Sequence, residues 1–449
     1  MLVLAPALYR HRTGHWLPTD HAKIRGWVDK LLERKLPIKE KPLDPVLQDF
    51  KEFIDREPLV RMMATEMFQE IPVTPPYNKD PTKFEPQIRN YDEMFECINT
   101  VLGEGPQWYK SNDEDVMGLV GFPINAILDW PMGTRSGYYF FTMKSVNAHW
   151  KAVLDKWKTF LSTRESLSVL DPVTGWLSAD ALQVLAAKGN DGVDNYSFSQ
   201  LYQCDPSAPY YGFESWDKFF TRQFRDGVRP IASPHGVADL SMVIVNACES
   251  TPCFRRENVQ LQDTFWLKSQ PYSLADMLDG RDKARPFVGG QVYQAFLSAL
   301  SYHRWHAPVS GKVMSIENVT GTYYSENYYE GYANIFHGKP RPDPNAPNNS
   351  QAYIAEVATR GIITIQADNR EIGLMAAVFI GMCEVSSCEF FVKPGDRIKK
   401  GDCIGTFHFG GSTHCLVFRP ETNLKFDDPG PYDDEENNKK VNSLLALVV

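Results

Sequence analysis

The hydrophobic residues of this chain change period part-way along it. Up to about residue 190 they recur at steps of three and four, and beyond about residue 235 they sit in short β-branched runs broken by glycine. The first spacing lines one face of a helix, and the second is the pattern of strands between turns. In 145–162, Val146, Trp150, Val153, Leu154, Trp157, Phe160 and Leu161 form one such helical face. Its aromatic residues read as core. Leu47, Phe50, Phe53, Ile54, Val60, Met63 and Met67 predict helices over 45–70, broken near Pro58, whose ring cannot continue a helix interior. Segments 92–102 and LSADALQVLAAKG, ending at Gly189, read as further helices. MVIV, GIITIQA and AAVFIGM read as strands. The expected class is α+β, with a helical amino-terminal domain at 1–190 followed by a mainly β catalytic domain at 191–449. A chain of 449 residues also exceeds what one core usually serves.

Several functions are excluded by composition and spacing. A net charge of −9 argues against a nucleic-acid partner, whose phosphates call for clustered Lys and Arg. No run is long and apolar enough for a membrane span, and MLVLAPALYRHRTGHW lacks the basic-then-apolar order of a secretory signal, so a cytoplasmic protein is expected. Cys248 with Cys253 and Cys383 with Cys388 lack the spacing of zinc ligands, so the cysteines read as reduced core thiols and no metal site is expected. Asp427, Asp428, Asp433, Asp434, Glu435 and Glu436 lack the interior glycine of a calcium loop and read as a solvated segment. GKPRPDPNAPNNS, within 330–350, reads as an exposed loop.

Three patches carry chemistry: SYHRWHAPVSG at 301–311, FHFGGST at 407–413 and VNACES at 245–250. A serine hydroxyl becomes a nucleophile only when a base takes its proton, and the base works best when a third group orients it. Gly410 and Gly411 leave the backbone before Ser412 free of side chains, as a crowded attack on a peptide carbonyl requires. Gly395-Asp396 and Gly401-Asp402 are turn pairs that also occur in lipoyl- and biotinyl-type carriers, but GGST stands where a carrier presents its lysine.

Together with YYGFESWDKFFTRQFRDGVRPI at 210–231, these patches resemble in order and spacing the phosphatidylserine decarboxylase family of pyruvoyl enzymes, over about residues 200–449. Tyr302-His303-Arg304-Trp305-His306 is similar to the family's histidine block and Gly411-Ser412-Thr413 to its cleavage site. YHRWHAP, FHFGGS, ADNREIGL followed by FIGM, and ACES are closer to the soluble fungal branch that decarboxylates L-tryptophan. The resemblance implies self-cleavage between Gly411 and Ser412, through an ester and then dehydroalanine. Ser412 then becomes a covalent pyruvoyl (pyruvate-derived) cofactor flanked by Gly410 and Thr413, and the cut chains stay associated. It assigns the cleavage base to His306 and the acid of turnover to His303, with Glu249 replacing an aspartate as the group that orients His306. His408 and His414 are reserves. The implied substrate is a free aromatic amino acid, L-tryptophan giving tryptamine and carbon dioxide. Phosphatidylserine decarboxylation and an inactive β-barrel binding module are the other readings, and the oligomeric state stays open.

Overall fold

The computed structural model describes residues 26–32, 42–72, 88–108, 122–262, 273–329, 331–332, 335–336, 339–340, 350–384, 387–427 and 438–449. Helices dominate the first half: α1 (Pro45–Arg56), α2 (Pro58–Gln69), α3 (Tyr91–Val101), α4 (Pro123–Met132), α5 (Arg135–Thr142), α6 (Lys144–Leu161) and α7 (Ala179–Asn190). Pro58 opens α2 as its first residue, where its missing N–H goes unused, so the break expected near it lies at extended Glu57. Asp44, Asn90, Thr134 and Ser178 cap α1, α3, α5 and α7 through their side-chain oxygens. The stripe read over 145–162 is the buried face of α6: Val146, Trp150, Val153, Leu154, Trp157 and Leu161.

Strands follow: β1 (Val243–Val245), β2 (Thr251–Glu257), β3 (Gln291–Leu297), β4 (Arg304–His306), β5 (Gly311–Val319), β6 (Ile335–Phe336), β7 (Lys339–Pro340), β8 (Arg360–Ala367), β9 (Leu374–Met382), β10 (Cys388–Phe390), β11 (Arg397–Ile398), β12 (Cys403–Phe407), β13 (Gly411–Phe418), β14 (Leu424–Phe426) and β15 (Leu444–Val448). The fold is α+β, as expected from the change of period. The centre is a seven-stranded antiparallel sheet, β11-β5-β8-β9-β13-β3-β2, accompanied by the three-stranded sheets β10-β12-β4 and β1-β15-β14. Lys339-Pro340 pairs antiparallel with Ile335-Phe336, so two residues of the Pro-rich stretch expected to be irregular form a short strand. Most of that stretch, Asp428, the acidic residues 433–436 and the first 25 residues lie outside the described residues.

Side chains alternate across β13. Cys415 and Val417 enter a core shared with the helices, which includes Phe50, Trp150 and Trp157. Leu416 and Phe418 enter a second core with Trp305, Phe379 and Phe407, beneath the smaller sheets. A strand covered on both faces carries an unbroken apolar run rather than an alternating one, which accounts for AAVFIGM in neighbouring β9. The two Gly-Asp pairs make matching turns: Gly395 and Gly401 have φ of 97° and 87°, and the Asp396 and Asp402 carboxylates accept from the N–H groups of Lys393 and Lys399. Among the described residues, no helix is long and apolar enough to cross a membrane.

Candidate active site

Ser412 is the second residue of β13, paired with Gly381 of β9 on one side and Leu297 of β3 on the other. It is fully buried, and its Oγ has no hydrogen-bond partner among the described residues. An unpaired buried hydroxyl costs about 1–3 kcal/mol, so its persistence marks a strained or functional position. Gly410 leads in at φ 142°, a conformation a side chain would oppose, and a Cβ on Gly411 would come to 3.3 Å from the Phe122 ring.

His303 lies between β3 and β4, beyond the turn closed by Ser301 N–H donating to the Ser298 carbonyl. Its own carbonyl accepts from Phe407 N–H at 3.0 Å, which ties it to the strand running into Gly410-Gly411. The ring stacks on Phe220 at 4.0 Å, and Phe220 in turn meets Phe409 at 5.2 Å. Burial, with the Arg222 guanidinium adding to it, holds the imidazole well below its ordinary pKa, against weaker backbone contacts at Ser298 and Ser301. Neither ring nitrogen makes a well-formed hydrogen bond among the described residues. The acid expected at His303 therefore stands as a neutral ring at pH 7.

His306, the last residue of β4, is nearly buried. Its Nδ1 lies 2.7 Å from the Gly401 carbonyl and its Nε2 3.0 Å from the Tyr302 hydroxyl. A carbonyl only accepts, so Nδ1 carries the proton and Nε2 accepts from Tyr302. Burial lowers its pKa, opposed mainly by the Gly401 bond. The ring is thus a neutral base with its lone pair at Nε2.

The orienting role expected of Glu249 does not take the form of a hydrogen bond to His306, on which its carboxylate acts through charge alone. Its carboxylate grips Arg229 at 2.6 and 3.1 Å, accepts from Val441 N–H at 2.8 Å and receives Asn438 Nδ2 at 3.3 Å; the hydrogen bond that holds His306 Nδ1 comes from the Gly401 carbonyl. A guanidinium matches a carboxylate as a two-pronged donor, so this buried pair is the better bargain for the glutamate. Both side chains are almost wholly buried. Glu249→Ala on an uncut chain is expected to lower unfolding stability by about 3–5 kcal/mol, read by urea denaturation, because it strands the Arg229 charge.

Thr413 turns to the opposite face of β13 from Ser412, donates to the Ala295 carbonyl at 2.9 Å and accepts from Gln294 at 3.2 Å. His408 is clasped between Asp217 at 2.8 Å and Glu389 at 2.6 Å. His414 shares the Ser412 face, and burial holds its pKa down at about 3. Sequence reasoning missed Glu384, just beyond β9: it is buried, its Oε1 accepts from Asn125 N–H at 2.9 Å, and its Oε2 has no partner among the described residues.

Known proteins align with this arrangement. The phosphatidylserine decarboxylase family matches residues 44–185 and again residues 216–430. An L-tryptophan decarboxylase of Psilocybe cubensis is 35% identical over 95% of this chain and 94% of its own length. Decarboxylase iboD of Amanita muscaria is 38% identical over 78% of this chain and 99% of its own. Phosphatidylserine decarboxylase proenzyme 3 of Schizosaccharomyces pombe is 27% identical over 56% of this chain and 23% of its own.

Proposed function

The chain belongs to the phosphatidylserine decarboxylase family, and from that premise we propose a self-cleaving, pyruvoyl-dependent decarboxylase of free aromatic L-amino acids, L-tryptophan foremost, acting in the cytoplasm. Membership of the family makes it a carboxy-lyase; the cofactor and substrate are the proposal. The observation that carries it is the unpaired, buried Ser412 Oγ directly after two glycines, at the start of β13; His303 follows β3, a neighbour of β13, and His306 lies on β4, which pairs with the β12 strand leading into Gly410. Two near-full-length relatives named L-tryptophan decarboxylase favour that substrate over the lipid.

The residues present suit a group derived from Ser412: its hydroxyl is unpaired among the described residues, Gly410 takes a φ of 142° that a side chain would oppose, and Thr413 is anchored to β3 immediately after it. When formed, that pyruvoyl group supplies the electron-accepting carbonyl that pyridoxal phosphate supplies in other decarboxylases. As the proposed base for the Ser412 proton, His306 offers its Nε2 lone pair, which accepts from the Tyr302 hydroxyl in the uncut chain, and the Gly401 carbonyl holds Nδ1–H so that the charged ring stays oriented. Neutral His303, pinned on Phe220, serves turnover by hydrogen bonding rather than by carrying charge.

Intact-mass measurement should find a small fragment beginning at residue 412, and incubation with tryptophan, tyrosine, phenylalanine and phosphatidylserine should release carbon dioxide from tryptophan first. An unbroken chain, or release from the lipid alone, would overturn the reading. The base form of His306 has a consequence for pH. Its pKa lies below 6.5, so the rate at which refolded precursor cuts itself should be level from pH 7 upward and fall only below 6.5. A midpoint above 6.5 would remove His306 as the base.

A further inference from the structure

His303 makes no well-formed hydrogen bond through its ring, so something else must hold that ring in place. β3 ends at Leu297, the partner of Ser412, and the chain then turns over Ser298–Ser301 before β4 begins at Arg304. His303 stands between that turn and β4.

Arg222, from the 210–231 stretch, fastens the turn. Its Nη2 donates to the Leu300 carbonyl at 2.6 Å and to the Ser301 carbonyl at 3.3 Å, and its Nη1 to the Phe219 carbonyl at 3.4 Å. The Ser301 backbone it holds is one of the two that the His303 ring leans on. Arg304, directly after His303, returns a bond: its Nε donates to the Thr221 carbonyl at 2.8 Å. With Phe220 stacked on the ring itself, residues 220–222 bear on the turn before His303, on the ring, and on the strand after it.

Arg222 is buried, its guanidinium lies over the Tyr202 ring at 4.6 Å, and among the described residues no carboxylate pairs with it. A charge buried without a counter-ion is costly, and an apolar side chain would fill the space at less cost, so the guanidinium marks a task beyond packing.

We propose that Arg222 is a positioning residue for turnover: by clamping the Leu300 and Ser301 carbonyls it fixes the turn that presents His303, and so sets where that ring stands, without touching substrate. This rests on the decarboxylase function proposed above, in which His303 serves turnover. The charge works to the same end. Phe220, Phe409 and the backbone of Phe407 and the turn surround the ring, and the guanidinium is the charge that acts on it, adding to burial in keeping it neutral.

Arg222→Gln removes the charge and one arm of the clamp. The chain should still be cut, because Gly401 and Tyr302 hold His306 independently, while kcat falls about 10-fold or more with KM little changed. The guanidinium lowers the pKa of His303, so its removal raises it, and the fall of kcat on the acid side should begin at a higher pH than in the unmodified enzyme. Arg222→Lys, which keeps the charge, should recover part of kcat and leave that acid limb in place. One arm needs no activity: in the uncut Ser412→Ala chain, nitrogen NMR of the His303 ring, assigned by its loss in His303→Gln, should show protonation at a higher pH once Arg222→Gln is added. A cut Arg222→Gln enzyme with unchanged kcat, or one whose acid limb and ring titration do not move, would overturn the proposal. Should Arg222→Gln not fold, Arg222→Lys decides, and a kcat equal to that of the unmodified enzyme counts against Arg222. An unmodified enzyme that is cut yet inactive on every amino acid would instead sink the function on which the proposal rests.

Discussion

With Ser412→Ala, the chain is expected to run as one uncut piece and to release no carbon dioxide from any amino acid. The hydroxyl removed is the only atom of that side chain able to attack the Gly411 carbonyl, and it is also the precursor of the reactive group. Both losses should be complete, beyond the several-hundredfold range of a damaged binding contact. The fold should survive, because Ser412 Oγ makes no hydrogen bond among the described residues that alanine would forfeit, and β13 keeps its pairing with β3 and β9. Stability should hold or rise slightly, since an unpaired buried hydroxyl is a liability of about 1–3 kcal/mol. Intact mass and a urea melt check both halves of the statement. A cut or active Ser412→Ala protein would move the cofactor elsewhere.

The two histidines of YHRWH should separate making the cofactor from using it. His306→Ala should leave the chain uncut, for it removes the neutral Nε2 and the ring held between Gly401 and Tyr302. His303→Ala should leave the chain cut but lower kcat about 100-fold or more, as expected when a group that hydrogen-bonds in the site during turnover is lost. The stacking of His303 on Phe220, and of Phe220 against Phe409, makes the second variant the more delicate. His303→Gln, which retains hydrogen-bonding atoms in a similar volume, keeps the test open if alanine disturbs that aromatic stack. A His303 variant that is cut and fully active refutes the division, as does a His306 variant that is cut at the normal rate.

What could be read from residue order alone follows the range of the forces involved. Helical stripes, the break at Pro58 and the Gly-Asp turns are local, and each is visible within a dozen residues. Short motifs likewise bring Ser412, His303 and His306 to notice. Glu249 shows where this stops. Its place in ACES points to a role beside the histidines, yet its partner is Arg229, set by how the 210–231 stretch and the carboxyl terminus fold around it. Arg229 belongs to RDGVRPI, already singled out, so a buried arginine seeking a carboxylate was a signal within reach. Glu384 had none. In GMCEVSS it looks like the polar end of an apolar strand, and only the approach of α4, from more than 250 residues earlier, makes it a buried acid.

The Gly411-Ser412 bond proposed for cleavage lies at the start of β13, near the middle of the largest sheet, and this would set the physical character of the cut molecule. Everything after the cut, β13 to β15, is interleaved with what precedes it: β13 lies between β9 and β3, and β15 pairs with β1. The precursor folds as one chain, so closing that sheet is an intramolecular event, independent of dilution. Once cut, the same sheet joins two molecules. Reassembly after denaturation then becomes second order, slower at each dilution, while the native form persists because unfolding is slow rather than because refolding is quick. Maturation would thus trade a reversible fold for a one-way assembly, whose lifetime depends on never letting the small piece go.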